Sequence, residues 1–510
     1  MSSENNKRIA KNTAMLYFRM LITMAVSLYT SRVILNTLGV EDFGIYNVVG
    51  GVVTMFSFLN SSMASATQRF LSFELGKKNY EQLSRVFSMS INIHATITLV
   101  ILILAETIGL WFLNTQLTIP EERMVAANWV YQFTILSFMV TVMSVPYNAS
   151  IIAHERMNVY AYVSIIEVAL KLLIVFMLQW FGFDKLKFYA VLIFSVSLFI
   201  SIIYGLYSKR NFEECSYKFS WDKSLYQTLM SYAGWNLWGN FAGVTFNQGI
   251  NILLNIFFGP VINAARGIAY QVNGTVNGFV SNFQIAMNPQ IVKSYASDDR
   301  QYMHQLIFRG SRYSFFLLFF ITLPILLEAE IILKWWLKVV PEYTSLFCRL
   351  VLINTLIDCI SGPLMTAAQA TGKIKKYQAV VGGLLLLILP ISYILLKIGF
   401  PPQTTLYVSI SVSIVALFAR LWIISPLVNL SILTFTRLVL VRVLWVTMIA
   451  VIFPLLIKYS VNKELIRFFA VCIVSVLSVT ASIYWFGLRK EEQIFMKDKL
   501  CQLIVKIKGR

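Results

Sequence analysis

The stretch SVPYNASIIAHERMNVY, residues 144–160, returns 217 residues later as SGPLMTAAQATGKIKKY, residues 361–377. Ser, Pro, Ala and Tyr recur in register, Arg156 is answered by Lys373, and Met157 by Ile374. A second pair, LGVEDFGIYNVVG at 38–50 and FGPVINAARGIAY at 258–270, is offset by 220. Two matches with nearly one displacement mark an internal duplication.

The runs around these junctions are apolar. Of 510 residues, 57% are hydrophobic and 13% charged, with a mean hydropathy of +0.69. Soluble domains average about 25% charged residues, so the composition is that of an integral membrane chain. A window of about 19 residues yields fourteen spans, at 10–36, 44–72, 86–113, 124–150, 157–181, 188–207, 228–257, 262–290, 305–333, 345–369, 377–396, 404–425, 440–458 and 465–487. The displacement covers six spans, an even number, so both copies cross the membrane in the same sense. The expected fold is therefore an all-α membrane protein with two six-helix lobes related by a parallel pseudo-two-fold, plus two C-terminal helices. Its parts are an N-lobe at 1–207, a linker at 208–227, a C-lobe at 228–425, the last two helices at 426–487 and a basic tail at 488–510.

Charge sets the orientation. The excess of 43 Lys+Arg over 24 Asp+Glu invites a nucleic-acid reading, but in polytopic chains basic residues collect in cytoplasmic loops. One set of connections, with Lys7, Arg8, Lys77, Lys78, Arg156, Lys209, Lys293, Arg300, Lys373 and the tail, carries about three times the basic residues of the other. Both termini are then cytoplasmic, and no nucleic-acid partner is expected. The tail mixes charges with Ile494, Phe495, Leu500, Leu503 and Ile507, which fits an interfacial amphipathic helix or a plain tail. The run from 14 to 35 lacks a small-residue cleavage site and reads as a retained first helix. Cys215, Cys348, Cys359, Cys472 and Cys501 form no framework, and His94, His154 and His304 read as surface or helix-end residues. Neither disulfides nor a metal or other cofactor is expected.

Polar residues inside spans are costly and point to function. Arg19 lies about 14 Å of helical rise from the start of the first span, in a stripe with Asn12, Thr23 and Thr30. Either a neighbouring carboxylate or an anionic substrate would repay its burial. The seventh span carries Asn236, Asn240, Asn247, Asn251 and Asn255, and the eighth Asn273, Asn277, Gln284 and Asn288. A weaker stripe in the second runs from Thr54 to Ser72 with Arg69 at its inner end. Neutral amides donate and accept without the desolvation cost of a charge, which suits a substrate rich in hydroxyls; bonding between packed helices is the competing account. Acidic residues within spans are Glu106, Glu167 and Asp358, with Glu328 and Glu330 near an outer end. Glu167 and Lys171 are four apart and can neutralise each other. Arg349 and Asp358 face opposite ways, so Asp358 needs a partner from another helix, a proton or a cation. No nucleophile–base pair, phosphate-cradling loop or HExxH appears, which speaks against an enzyme.

LGVEDFGIYN after the first helix, ASATQRFLS ending the second, IIAHERMNVY before the fifth and FGPVINAARGIAYQVN into the eighth resemble the polysaccharide-transporter branch of the multidrug/oligosaccharidyl-lipid/polysaccharide (MOP) flippase superfamily, O-antigen flippases of the Wzx type above all. The resemblance spans nearly the whole chain through short motifs. It implies two V-forming bundles, alternating access, and transfer of an undecaprenyl-pyrophosphate-linked oligosaccharide between leaflets of the bacterial inner membrane, with membrane lipids and a polysaccharide polymerase complex as partners. Basic cavity residues of that family match Arg19 best, then Arg69 and Arg266, the last also readable as a helix-end anchor. Asp358 is the leading residue for coupling to H+ or Na+, with Glu106 and the Glu167–Lys171 pair as alternatives. The rivals are a multidrug antiporter, a peptidoglycan-precursor flippase and a membrane glycosyltransferase or polymerase; the absence of acidic residues from the first span counts against the first of these, and short loops against the last.

Overall fold

The computed structural model describes every residue except Met1, 39–41, 43–44, 47–48, 51–56, 116–118, 181–183, 259, 338–339, 495–496 and 498–510. Among the described residues all regular structure is helical. The long helices are α1 (Ser2–Leu38), α2 (Ser57–Lys77), α3 (Tyr80–Thr115), α4 (Glu121–Ala153), α5 (Met157–Trp180), α6 (Lys185–Asn211) and α7 (Lys223–Phe258). They continue with α8 (Pro260–Ala296), α9 (Arg300–Leu337), α10 (Thr344–Thr371), α11 (Lys375–Lys397), α12 (Thr404–Val428), α13 (Ile432–Ser460) and α14 (Glu464–Gly487). Each expected span has its helix, and the chain is a multi-pass membrane protein. Eleven of the helices are long and apolar enough to cross a membrane by composition alone. Of the other three, α1 and α8 carry the Arg19 and Asn/Gln stripes, and a helix with a polar face cannot be apolar all round; most of the apolar residues expected before α2 lie outside the described residues.

The chain forms two compact units. The first comprises Met1–Phe241, Ile285–Arg300 and Gly372–Ala379. In it α4 packs on α6, α2 and α3, and α1 runs along α5. Leu83, Phe87, Met89, Ile151, Val175 and Leu178 form its main core. At one end Arg123 on α4 gathers two carboxylates, donating from Nε to Asp42 Oδ1 at 2.8 Å and from Nη1 to Asp184 Oδ2 at 3.0 Å. Burial alone would raise the Asp184 carboxyl, but the Lys187 backbone N–H and Arg123 hold it below the usual carboxylate range.

The second unit comprises Ala242–Gln284, Gln301–Thr371 and Val380–Arg510. Here α10 packs on α12 and α13 on α14, around a core that includes Leu254, Ala265, Phe347 and Val351. Two breaks shape it. Glu328 leaves helical geometry at φ −114° and ψ 29° inside α9, which kinks there. Ser361, two residues before Pro363, divides α10.

The duplication is visible in the backbone. Lys78 and Asp298, 220 residues apart, adopt the left-handed conformation at φ 57° and 59°. Lys78 N–H donates to Leu75 O and Asn79 N–H to Glu74 O; Asp298 N–H donates to Tyr295 O and Asp299 N–H to Ser294 O. Glu155 and Gly372, 217 apart, share the other left-handed turn at φ 60° and 74°. Helix pairing recurs at a six-helix step: α4 on α6 and α10 on α12, α1 along α5 and α7 against α11 through Gly249 and Leu389.

His154 caps α4 and His304 lies near the start of α9, but His94 is fully buried within α3, its Nδ1 2.7 Å from Ser90 O. The surface or helix-end expectation fails there: a local carbonyl pairs Nδ1 inside the core, while Nε2 has no hydrogen-bond partner among the described residues. Cys215, Cys348, Cys359 and Cys472 are free thiols. Cys501 and most of the expected amphipathic tail lie outside the described residues, as do Thr54 and the side chain of Asn255.

Candidate substrate cavity

Both predicted amide stripes reach into the second unit, where a cavity of about 380 Å³ opens between α7, α8, α10 and α12. Asn247 comes from α7, and Asn273, Asn277 and Gln284 from α8. The 3- and 4-residue steps along α8 set these side chains on one face. Thr355 on α10 donates to Asn273 Oδ1 at 2.7 Å, and Gln284 Nε2 donates to Ser314 Oγ and Cys359 O, each at 3.1 Å. The amides therefore both line the space and bond between helices.

Asp358 stands at the cavity wall one turn before the α10 break. Its side chain is 41% accessible. Asn354 donates to Oδ2 at 3.0 Å and Ser413 at 3.3 Å, while Arg420 Nη1 lies 3.8 Å from Oδ1 and donates to Ser361 Oγ at 3.1 Å. The partner from another helix is thus Arg420 on α12. Arg349 turns away, donating to Leu326 O at 3.0 Å and to Glu330 at 3.1 Å.

Arg266 sits one layer behind the wall. It is buried, stacks 4.2 Å from the Tyr270 ring centroid, and donates to Asn251 Oδ1 at 2.8 Å and Asn247 Oδ1 at 3.2 Å. The helix-end anchor reading does not describe this: a guanidinium held by neutral amides stays charged, and Asn247 joins it to the cavity.

The remaining expected site residues belong to the first unit. Arg19 lies 4.7 Å over the Tyr160 ring. Arg69 is buried among Phe70, Phe73 and Tyr232. Asn236 accepts from Gln378 at 3.0 Å, and Asn240 donates to Ser62 at 2.9 Å. Lys171 donates to Glu167 at 2.6 Å, and Gln132 donates to Glu106 at 3.1 Å, beside the π turn Ala105–Gly109. Reading the sequence missed Arg420, Asn354 and Ser413. Arg420 was detectable by the rule that selected Arg19, a cation inside an apolar span; the two neutral residues carried no such signal. It also missed Glu155, which lay in plain sight in the repeated motif.

A family model described as polysaccharide biosynthesis protein matches residues 9–295. The chain belongs to the polysaccharide biosynthesis protein family. Solved structures share the fold of this family member at low identity. An outward-facing multidrug resistance MATE family transporter of the MOP superfamily aligns at 13% identity and a TM-score of 0.68, covering 82% of this chain and 96% of its own. A MATE protein in the bent conformation aligns at 12% and 0.69, covering 83% and 96%. A MOP superfamily transporter from Pyrococcus furiosus, described by the reverse polarity of its binding pocket, aligns at 12% and 0.64, covering 82% and 96%. No curated protein matches the sequence. The motif resemblance thus holds at the level of family and fold.

Proposed function

We propose that this family member is a flippase carrying an undecaprenyl-pyrophosphate-linked oligosaccharide, the repeat unit of an O-antigen, capsule or exopolysaccharide, from the cytoplasmic to the periplasmic leaflet of a bacterial inner membrane by alternating access. Both termini are cytoplasmic in this reading, and the N-lobe and C-lobe are the moving bodies. The supporting observation is the cavity wall of Asn247, Asn273, Asn277, Gln284 and Asn354. Neutral amides match sugar hydroxyls with donors and acceptors and add no net charge. Pyrophosphate requires cations, and Arg19, Arg69 and Arg266 are the assigned ones, Arg266 being already joined to Asn247. Asp358 is the assigned ion-coupling group, with Glu106, Glu167 and Lys171 behind it.

A multidrug antiporter is the second reading, favoured by one observation: the Asp358 carboxylate opens into the cavity. The Arg420 guanidinium 3.8 Å away opposes a cationic drug there. Proteoliposomes loaded with lipid-linked oligosaccharide separate the two, with glycan accessibility to an impermeant lectin as the readout. Transfer should be rapid for the wild type and about tenfold slower for an Asn247→Leu, Asn277→Leu double variant, two hydrogen bonds being worth about 1–3 kcal/mol together. Ion-driven uptake of a cationic dye without glycan transfer would decide for the antiporter.

A further inference from the structure

Away from the cavity, the second unit gathers four arginines near one carboxylate, two of which meet it through their guanidinium groups. Arg309 and Arg312 come from α9, Arg442 from α13 and Arg489 from just beyond α14. Arg312 Nη2 donates to both Glu492 oxygens, at 2.7 and 2.9 Å, and Arg309 Nε lies 3.2 Å from Glu492 Oε1. Arg442 Nη1 donates to Gly487 O at 3.2 Å and is close enough to feel the charges of Arg312, Arg489 and Glu492. The Arg489 backbone N–H also donates to Glu492, at 2.8 Å.

One carboxylate does not balance this group. Arg312, 1% accessible, has Nε and Nη1 without hydrogen-bond partners among the described residues, and Arg489 Nε is in the same condition. Like charges gathered this closely repel, and buried guanidinium donors without acceptors are expensive. A ligand with several anionic oxygens removes both costs, because each guanidinium fork can take two of them. Arg309, 25% accessible, and the half-buried Arg442 and Arg489 form the open side, with Arg312 as charge beneath.

The position indicates where that anion comes from. The N-terminal ends of α9 and α13 and the C-terminal end of α14 lie, by alternate crossing, on the side where the basic connections concentrate. α9 has 38 residues, about 57 Å of rise against a hydrocarbon core of about 30 Å, so its first turns stand outside the core. Trp445, Trp485 and Phe486 are exposed beside the cluster, as aromatic residues are at the headgroup level. Phospholipid phosphates occupy that level, and basic pockets between helices bind anionic headgroups there.

We propose that Arg309, Arg442 and Arg489, backed by Arg312, form a binding site for the phosphate of an anionic membrane phospholipid. Glu492 occupies part of the same guanidinium surface and competes with it. The test uses delipidated full-length protein in neutral detergent, with binding of phosphatidylglycerol followed by native mass spectrometry and by thermal unfolding. Phosphatidylglycerol should bind and raise the melting temperature, and phosphatidylcholine should do neither. Arg442→Gln with Arg489→Gln should weaken phosphatidylglycerol binding about tenfold or more, while Arg437→Gln, an exposed change outside the cluster, should match the wild type. Should the double variant fold poorly, Arg309→Gln alone gives the same reading at smaller amplitude. Glu492→Gln should lower the melting temperature without lipid yet bind phosphatidylglycerol several-fold tighter, a combination that a purely structural ion pair does not produce. Equal binding of the two lipids, undiminished binding by the Arg variants, or loss of binding in Glu492→Gln would overturn the site. Equal protection by millimolar inorganic phosphate would overturn the lipid source and assign the site to free phosphate.

Discussion

Glu155 and Asp358 are both carboxylates in a membrane protein, and their surroundings are opposite. Glu155 is sealed, its side chain 0% accessible. Lys293 donates to Oε1 at 2.6 Å and Gln290 to Oε2 at 2.7 Å, and Arg8 Nε stands 3.2 Å from Oε2. Its backbone carbonyl accepts from Asn12 at 3.1 Å, and Arg8 also donates to the neighbouring His154 O at 2.8 Å. Asp358 is open to a cavity, with two neutral donors and a cation at 3.8 Å. A saturated carboxylate holds helices together; an incompletely saturated one keeps capacity for a proton, an ion or a substrate group.

The largest loss of stability is expected at Glu155. Glu155→Ala leaves Lys293, Gln290 and Arg8 without their acceptor and should destabilise the protein by about 3–5 kcal/mol, seen as a large fall in membrane abundance and melting temperature. A change below about 1 kcal/mol would mean that the sealed carboxylate does not hold the first unit together. Its repeat partner Gly372 comes next. With φ at +74° and Arg69 Nη2 3.0 Å from where a Cβ would stand, Gly372→Ala should cost about 1–2 kcal/mol, measurable by thermal unfolding. An unchanged melting temperature would show that the turn tolerates a side chain.

Asn236→Leu and Asn247→Leu sharpen the contrast between packing and cavity amides. The buried Asn236, whose acceptor oxygen serves Gln378, should lose about 1–3 kcal/mol on replacement with glycan preference intact. Asn247, which lines the cavity and accepts from the buried Arg266, should lose a comparable amount of stability and in addition change which glycan is transferred in a competition assay. The smallest effect on folding belongs to Asp358→Asn, within about 0.5 kcal/mol because the side chain is open. Its effect on coupling should be the greatest: transport in proteoliposomes should cease to follow an imposed H+ or Na+ gradient. Transport that still follows the gradient would remove Asp358 from coupling.

Asp184 supplies a partly exposed control. Its carboxyl is held low, so its contribution is complete above the ordinary carboxylate pKa and disappears as pH falls through the lower folded value. Arg123→Gln should therefore lower stability at neutral pH by up to about 1 kcal/mol and leave it unchanged once Asp184 is protonated, so that the variant's stability falls less with acid in an unfolding titration.

Much of this was legible in the chain. The repeated motifs foretold the six-helix step, and their left-handed turns at Glu155 and Gly372 show why the motif recurs: it encodes a backbone reversal between long helices. The second turn, at Lys78 and Asp298, recurs without side-chain identity, so no motif marked it. The amide stripes were visible as stripes, but their division was not. Asn236 and Asn247 look alike on a helical wheel, and only the neighbour that each meets, Gln378 or a cavity, separates them. The same holds for Arg69 and Arg266, one stacked among aromatic rings and the other held by Asn oxygens.

What the sequence determined alone was the membrane class, the long helices of the described residues and their duplication. These depend on local hydropathy and periodicity, which are properties of consecutive residues. What only tertiary structure decided was which polar groups meet. Asp358 and Arg420 are separated by 62 positions in sequence and by 3.8 Å in space. Glu155 and Lys293 are joined across 138 positions by one ion pair. Such contacts arise from packing helices far apart in the chain, and the charge of a side chain acquires a role only when that packing fixes its neighbours and its access to water.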